Sequence, residues 1–355
     1  MNRIEQIKNQ FNLIKIDSFL VTNLSNIRYL SGFSGSAGTL LLTKGMNYFV
    51  TDFRYKSQSK DEVDRDFKVI IYTQNSFNYL GSLIKKHKLK RIGFESHILN
   101  VNEFITLKKK FPQVIFIPVD SFIESIVAKK TDKEIATLKK AVEITDKTFT
   151  KILNKIKPGV TEKALSAEIT YIQKKLGAEK DAFDPIVASG ERSAYPHAKP
   201  TDRKIQNGDL LTLDFGCVFD GMHSDMTRTV AIGNLSSEKK KIYNIVKEAQ
   251  QRALEFVKAG IIAKKLDSCA RGYIKGKGFG KNFGHGLGHG LGYDIHEGPR
   301  IFQKNNYRLE ENIVITIEPG IYVEGLGGVR IEDDIVVKDN GCEILNKSTK
   351  ELIIL

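Results

Sequence analysis

Up to residue 120 the chain alternates short apolar runs with longer stretches whose apolar residues recur at helical intervals. The runs are SFLVT (18–22), GTLLLT (38–43), NYFVTD (47–52), FKVIIY (67–72), RIGFES (91–96) and VIFIPV (114–119). They are short and rich in β-branched or aromatic residues, which predicts strands. Residues 3–14 and 76–88 have the helical spacing instead. Alternation of the two patterns predicts a smaller α/β domain over residues 1–125.

The pattern then changes. Thr131 followed by Glu134 fits a capping box, apolar residues next recur at helical spacing, and Pro158-Gly159 supplies a stop. A long helix over about 132–156 is expected to open a second domain, residues 131–355, with the boundary near 125–131. Further helical patterns at 162–176, 237–258 and 263–275 are interleaved with β-rich hairpins, so the fold class is read as α+β.

At 355 residues and 41% hydrophobic content, the chain is long enough for two ordinary globular domains. It has no run of 18 uninterrupted apolar residues, and its first segment, MNRIEQIKNQFNLIKIDSF, mixes charges into the apolar positions. Neither a membrane span nor a secretory signal is expected, and the cytoplasm is the expected location. Cys217, Cys269 and Cys342 are far apart and outside any C-x-x-C spacing, so they read as free thiols. The net charge of +13 draws on KKHKLKR (85–91), KKK (108–110) and EKKKI (238–242). No aromatic residues interleave these lysines to stack bases, which argues against a nucleic-acid partner.

Acidic residues change the picture more. In GDLLTLDFGCVFDGMHSDMTRTVAIG (208–233), strand-like runs flank Asp220-Gly221, a dipeptide favoured in two-residue hairpin loops. That loop places residue 214 opposite 227 and residue 216 opposite 225. Asp214 and Asp225 thereby become diagonal neighbours on one face, roughly 7–8 Å apart at Cα. NIVITIEPGIYV (312–323) and GGVRIEDDIVV (327–337) form a second ribbon, and a three-residue loop at 324–326 would place Glu318 opposite Glu332. Pro319 demands an edge or a bulge there.

If the four acids converge, each pair repels by roughly 4 kcal/mol at about 4 Å and an effective dielectric near 20. Two divalent cations balance four carboxylates. The stretch NFGHGLGHGLGYDIHEGP (282–299) holds three histidines, His285, His289 and His296, among six glycines. A neutral imidazole added to the carboxylates suits Mn, Fe, Co or Zn better than Ca. Remaining histidines are then free to bind substrate or move protons.

These motifs resemble the pita-bread metallopeptidases, specifically the proline-specific branch of aminopeptidase P (Xaa-Pro aminopeptidase) and prolidase (Xaa-Pro dipeptidase). NIRYLSGFSGSAG (26–38) is similar to the family's creatinase-like N-terminal domain. SGERSAYPHAKPTDRKIQNGDLLTLDFG (189–216) and the residues after it are similar to the family's pita-bread catalytic domain. The resemblance implies that Asp214 chelates one metal, His289 and Glu318 bind the other, and Asp225 and Glu332 bridge the two. It implies that His197 orients substrate and shuttles protons, that His285 and His296 are further active-site histidines, that Arg330 holds a ligand carboxylate, and that Tyr322 lines the site. Two divalent ions, manganese with cobalt or zinc as alternatives, would activate a water for attack on the carbonyl before proline, with Glu318 accepting its proton. A homodimer acting on peptides with proline second is also implied.

Other fragments lose weight in context. Asp214-Phe215-Gly216 has the letters of a kinase metal loop without its companion motifs, and the glycines of 276–292 never complete G-x-G-x-x-G. His87, His97 and His223 belong to no ligand spacing and are expected to be surface or locally bonded. Methionine aminopeptidase shares the ligand types, but the full N-terminal domain and GFSGSAG favour the proline-specific branch. A metal-free relative, acting as a binding scaffold or as a creatine-type hydrolase, would lack the ligand set. GFSGSAG and the compact length lean towards the aminopeptidase over the dipeptidase.

Overall fold

Each of the six apolar runs before residue 120 forms a strand in the computed structural model, which describes residues 3–73 and 76–355. They build one mixed sheet in the spatial order Phe67–Tyr72, Asn47–Asp52, Thr39–Thr43, Ser18–Val21, Arg91–Glu95, Ile115–Val119. Both faces are covered, because successive side chains point to opposite sides of a strand. Phe19, Val21, Leu40 and Leu42 pack with Ile7, Phe11 and Ile27 on one face. Leu20, Leu41 and Val50 pack with Leu83, Leu107 and Phe111 on the other. The helix predicted over 3–14 is shorter, Arg3–Asn9. Residues 10–15 turn back through Lys15, at φ 56°, so that Phe11 and Ile16 both reach the core.

The chain divides into two compact units, Met1–Val127 and Ala128–Leu355. In the second, Asp132–Leu153 begins on the expected capping box: Thr131 Oγ1 accepts from the Glu134 amide and Glu134 Oε2 from the Thr131 amide. Glu162–Lys175, Ser237–Phe256 and Ala263–Gly276 supply the other long helices. Their apolar sides close over the β-ribbons, with Ile242, Val246, Leu266 and Ile274 fully buried against Ile315, Ile317 and Ile335.

The two ribbons have the expected registers. Asp220 and Gly221 both take positive φ, 46° and 77°, as a two-residue hairpin turn of this twist requires. Phe219 pairs with Met222 and Asp214 with Thr227, so one register runs through the ribbon. In the second ribbon Val323 pairs with Gly327, Gly320 with Arg330, and Ile317 with Asp333. The register is continuous across Pro319, but Glu318-Pro319 and Ile331-Glu332 drop out of the ladder. At this break the backbones turn to other partners: the Glu318 amide donates to Leu287 O at 2.8 Å and the Glu332 amide to Thr227 O at 3.1 Å. Beside Pro319, which cannot donate to the ladder, these two amides tie the second ribbon to the glycine-rich segment and to the first ribbon.

Candidate metal centre

The strand interruptions aim acids into one cavity of about 520 Å³. Asp214, Asp225, Glu318 and Glu332 line it together with His197, His285, His289, His296 and Arg330. Asp225, His289 and Glu332 bring ligand atoms within 4.8 Å of one another. His289 Nε2 lies 3.7 Å from Asp225 Oδ2 and 3.5 Å from Glu318 Oε1. Burial holds the His289 imidazole down to about 4, so it is neutral near pH 7. Its Nδ1 faces Gly290 O at 3.0 Å and must therefore carry the proton. The Nε2 lone pair is left pointing at the acids, and a backbone carbonyl holding the opposite nitrogen in this way is usual for a metal-binding imidazole.

The acids are placed at an electrostatic cost. Burial first, then Glu332 and Asp214, push Asp225 well above the ordinary carboxylate range. Burial, Glu318 and Asp214 do the same to Glu332, and burial lifts Glu318 to about 8 despite Arg330. Asp214 Oδ1, Asp225 Oδ1 and Glu332 Oε1 are buried with no hydrogen-bond partner. Buried polar atoms are rarely left so. Three orphaned carboxylate oxygens and a neutral imidazole nitrogen around one cavity fit a divalent cation of the oxygen- and nitrogen-binding kind.

Arg330 organises the rest. Its Nη2 donates to Asp214 Oδ2 at 2.5 Å, its Nε to Thr227 Oγ1 at 3.0 Å and its Nη1 to the Tyr322 hydroxyl at 2.7 Å. Thr227 then donates to Glu332 Oε2 at 2.7 Å, which leaves Glu332 Oε1 as the free oxygen. Tyr322 stands behind the wall. Its hydroxyl is 2.9 Å from His285 Nε2, while His285 Nδ1 faces Gly286 O at 2.7 Å. Burial lowers His285 to about 4. The neutral ring donates from Nδ1 to the carbonyl and accepts from Tyr322. His296 packs edge-on to His289, ring centres 4.6 Å apart, and burial lowers its pKa as well.

The histidines outside the motif are locally bonded or partly exposed: His223 Nδ1 on Gly292 O at 3.0 Å, His87 Nε2 on the Tyr48 hydroxyl at 2.7 Å, and His97 beside Asp120 and Glu124. The three cysteines are free. Sequence reading missed Phe183, Ile186, Phe302 and Arg300, which also line the cavity. The apolar three carry no local signal. Arg300 could have been noticed as a cation one residue past the histidine-rich stretch. No described helix is long and apolar enough to cross a membrane.

Residues 136–339 match metallopeptidase family M24 and residues 3–126 match the creatinase/prolidase N-terminal domain. An Xaa-Pro dipeptidase of Pyrococcus horikoshii is 39% identical over 95% of each chain. Among solved structures, an Xaa-Pro dipeptidase from Bacillus anthracis is 41% identical over 99% of each chain, with a TM-score of 0.96. An X-Pro aminopeptidase from Thermotoga maritima is 40% identical over 98% of this chain and 100% of its own, with a TM-score of 0.90. The pita-bread architecture, the acid-lined cavity and these matches agree: the chain is a metallopeptidase and belongs to family M24.

Proposed function

We propose that this metallopeptidase hydrolyses the peptide bond between an N-terminal residue and a following proline, using two divalent ions. Asp214, Asp225, His289, Glu318 and Glu332 would hold the ions, with Asp225 and Glu332 shared between them, in the catalytic domain 131–355. The observation that carries this reading is the set of orphaned oxygens on Asp214, Asp225 and Glu332 around a neutral His289. Manganese is the proposed metal, with cobalt or zinc as alternatives. Bound ions supply Lewis acidity, which makes a water acidic and favours negative charge on the substrate carbonyl oxygen.

The chain's own groups do the rest. Glu318 takes the proton of the attacking water and delivers it to the departing nitrogen. Delivery is essential because the nitrogen is too basic to depart as an anion and leaves only once protonated. His197 and His296, both exposed on the wall, hold the substrate backbone. His285 holds the Tyr322 hydroxyl, Tyr322 holds Arg330, and Arg330 fixes Asp214 directly and Glu332 through Thr227. Phe183, Ile186 and Phe302 offer an apolar wall to the pyrrolidine ring. A homodimer in the cytoplasm completes the reading, on the family resemblance.

The names of the relatives support aminopeptidase and dipeptidase equally, at 40% and 41% identity. One feature favours dipeptides: Arg300, exposed at the cavity, offers a partner to the free carboxylate of a C-terminal proline. The test is a panel of Xaa-Pro, Xaa-Pro-Yaa, Xaa-Ala and Met-Ala peptides with added manganese. Cleavage confined to proline-containing peptides is expected, and their lengths then separate dipeptidase from aminopeptidase. Comparable cleavage of Met-Ala would move the chain to methionine aminopeptidase chemistry.

A further inference from the structure

A buried ion pair lies next to the cavity without touching it. Lys130 Nζ meets Glu297 Oε2 at 2.5 Å, with side chains only 3% and 8% exposed. Such a pair is weak evidence for stability, since desolvating two charges costs about what their attraction returns. Its position is more telling. Glu297 directly follows His296, and its other oxygen, Oε1, accepts from the Asp294 amide at 3.1 Å. The pair also fills the space beside Gly292, where an added Cβ would lie 2.6 Å from both Lys130 Nζ and Glu297 Oε1. Gly292 O is held from the far side by the His223 amide at 2.8 Å and by His223 Nδ1 at 3.0 Å.

The turn 292–297 is therefore clamped between His223 and the Lys130–Glu297 pair. Two imidazoles depend on it. His296 is carried by the turn and packs edge-on to His289, ring centres 4.6 Å apart, so the turn bears on both rings. Lys130 itself is fixed through its amide to Asn312 O at 2.8 Å, so the clamp does not rest on the turn it holds.

We propose that Lys130 and Glu297 are positioning residues for the peptidase reaction, setting the 292–297 turn so that His296 faces substrate and His289 keeps Nε2 towards the acids. The proposal rests on the Xaa-Pro reading for its rate measurement only. Lys130→Met, Glu297→Met and the double variant are compared with wild type by melting temperature, turnover and amide hydrogen exchange over 291–297 in metal-free protein. Each single variant strands a buried charge and should melt lower. The double variant replaces the pair with apolar side chains of similar volume, a change often neutral for stability. It should regain the wild-type melting temperature while kcat stays roughly 10- to 100-fold down, the usual scale for losing a residue that orients a metal ligand. KM should change by less than about threefold, and the turn amides should exchange faster. A double variant with restored melting temperature and wild-type turnover, or with unchanged exchange, overturns the proposal. If wild type cleaves no Xaa-Pro peptide, the functional reading fails alone, because the exchange comparison needs neither metal nor substrate.

Discussion

Arg228→Met should destabilise the second unit severely, although Arg228 lies outside the cavity. The guanidinium uses all five N–H groups: Nε to Thr349 O at 3.0 Å, Nη1 to Thr227 O at 2.9 Å and to Glu332 O, and Nη2 to Asp333 Oδ1 at 2.6 Å and Ser348 O at 2.8 Å. The pair is closed to water, with side chains 2% and 1% exposed. Removing one partner of a buried pair costs about 3–5 kcal/mol. Asp333 keeps Lys350 at 2.9 Å and Gln250 at 2.8 Å, so we expect about 4 kcal/mol rather than more. For a domain of this size that is a fall in Tm of roughly 8–16 °C. Burial alone would raise the Asp333 pKa, but Arg228 and Lys350 outweigh it and the net shift is downward. The pair's contribution is thus complete above the ordinary aspartate pKa of about 3.9 and is lost as pH falls through the lower folded value. Calorimetry of metal-free wild type and variant near neutral pH checks the size, and a repeat in acid should show the gap closing. A Tm change under about 3 °C at neutral pH would refute a cost of this size.

Three further outcomes follow from the cavity. His289→Ala should lose bound metal as well as activity, whereas alanine variants of His197, His285 and His296 should keep metal and lose about 10²- to 10⁴-fold in rate; metal analysis of the four proteins shows whether the ligand has been assigned to the right ring. Burial raises Glu318 from 4.5 to about 8, so the metal-free fold keeps a proton that the unfolded chain releases, and metal-free stability should fall as pH rises from about 5 to about 8. Manganese should raise Tm more at the upper end of that range, and a metal-free Tm as high in Glu318→Gln as in wild type at pH 5 but not higher at pH 8 would count against it. Arg300→Ala should raise KM for Xaa-Pro dipeptides by about tenfold or more and leave Xaa-Pro-Yaa nearly unchanged, as expected for loss of one charge-assisted contact; equal effects on both remove the carboxylate role.

What could be read in the sequence was what short-range chemistry dictates. Asp220-Gly221 set the register that puts Asp214 opposite Thr227, and the 324–326 loop set the register that carries Glu318 to Glu332. Strand limits were legible because each apolar run is bounded by polar or turn residues, whereas the first helix ended early because Phe11 and Ile16 had to reach the same core. Long-range pairs left no trace in the pattern. Arg228 with Asp333, Lys130 with Glu297 and Arg330 with Asp214 are each more than 100 residues apart, and nothing local says which charge will be buried with which. The apolar wall of Phe183, Ile186 and Phe302 was hidden for the same reason.

If the orphaned oxygens of Asp214, Asp225 and Glu332 are metal ligands for Xaa-Pro hydrolysis, metal and rate must rise together. The most direct test is to strip the protein with chelator and titrate manganese back while following both bound metal and hydrolysis of a peptide the wild type cleaves. Negligible rate is predicted in stripped protein, with a rise that levels off at about two ions per chain, the number needed to balance four carboxylates. Full activity in stripped protein, or metal uptake unchanged in Asp225→Asn, would contradict the assignment.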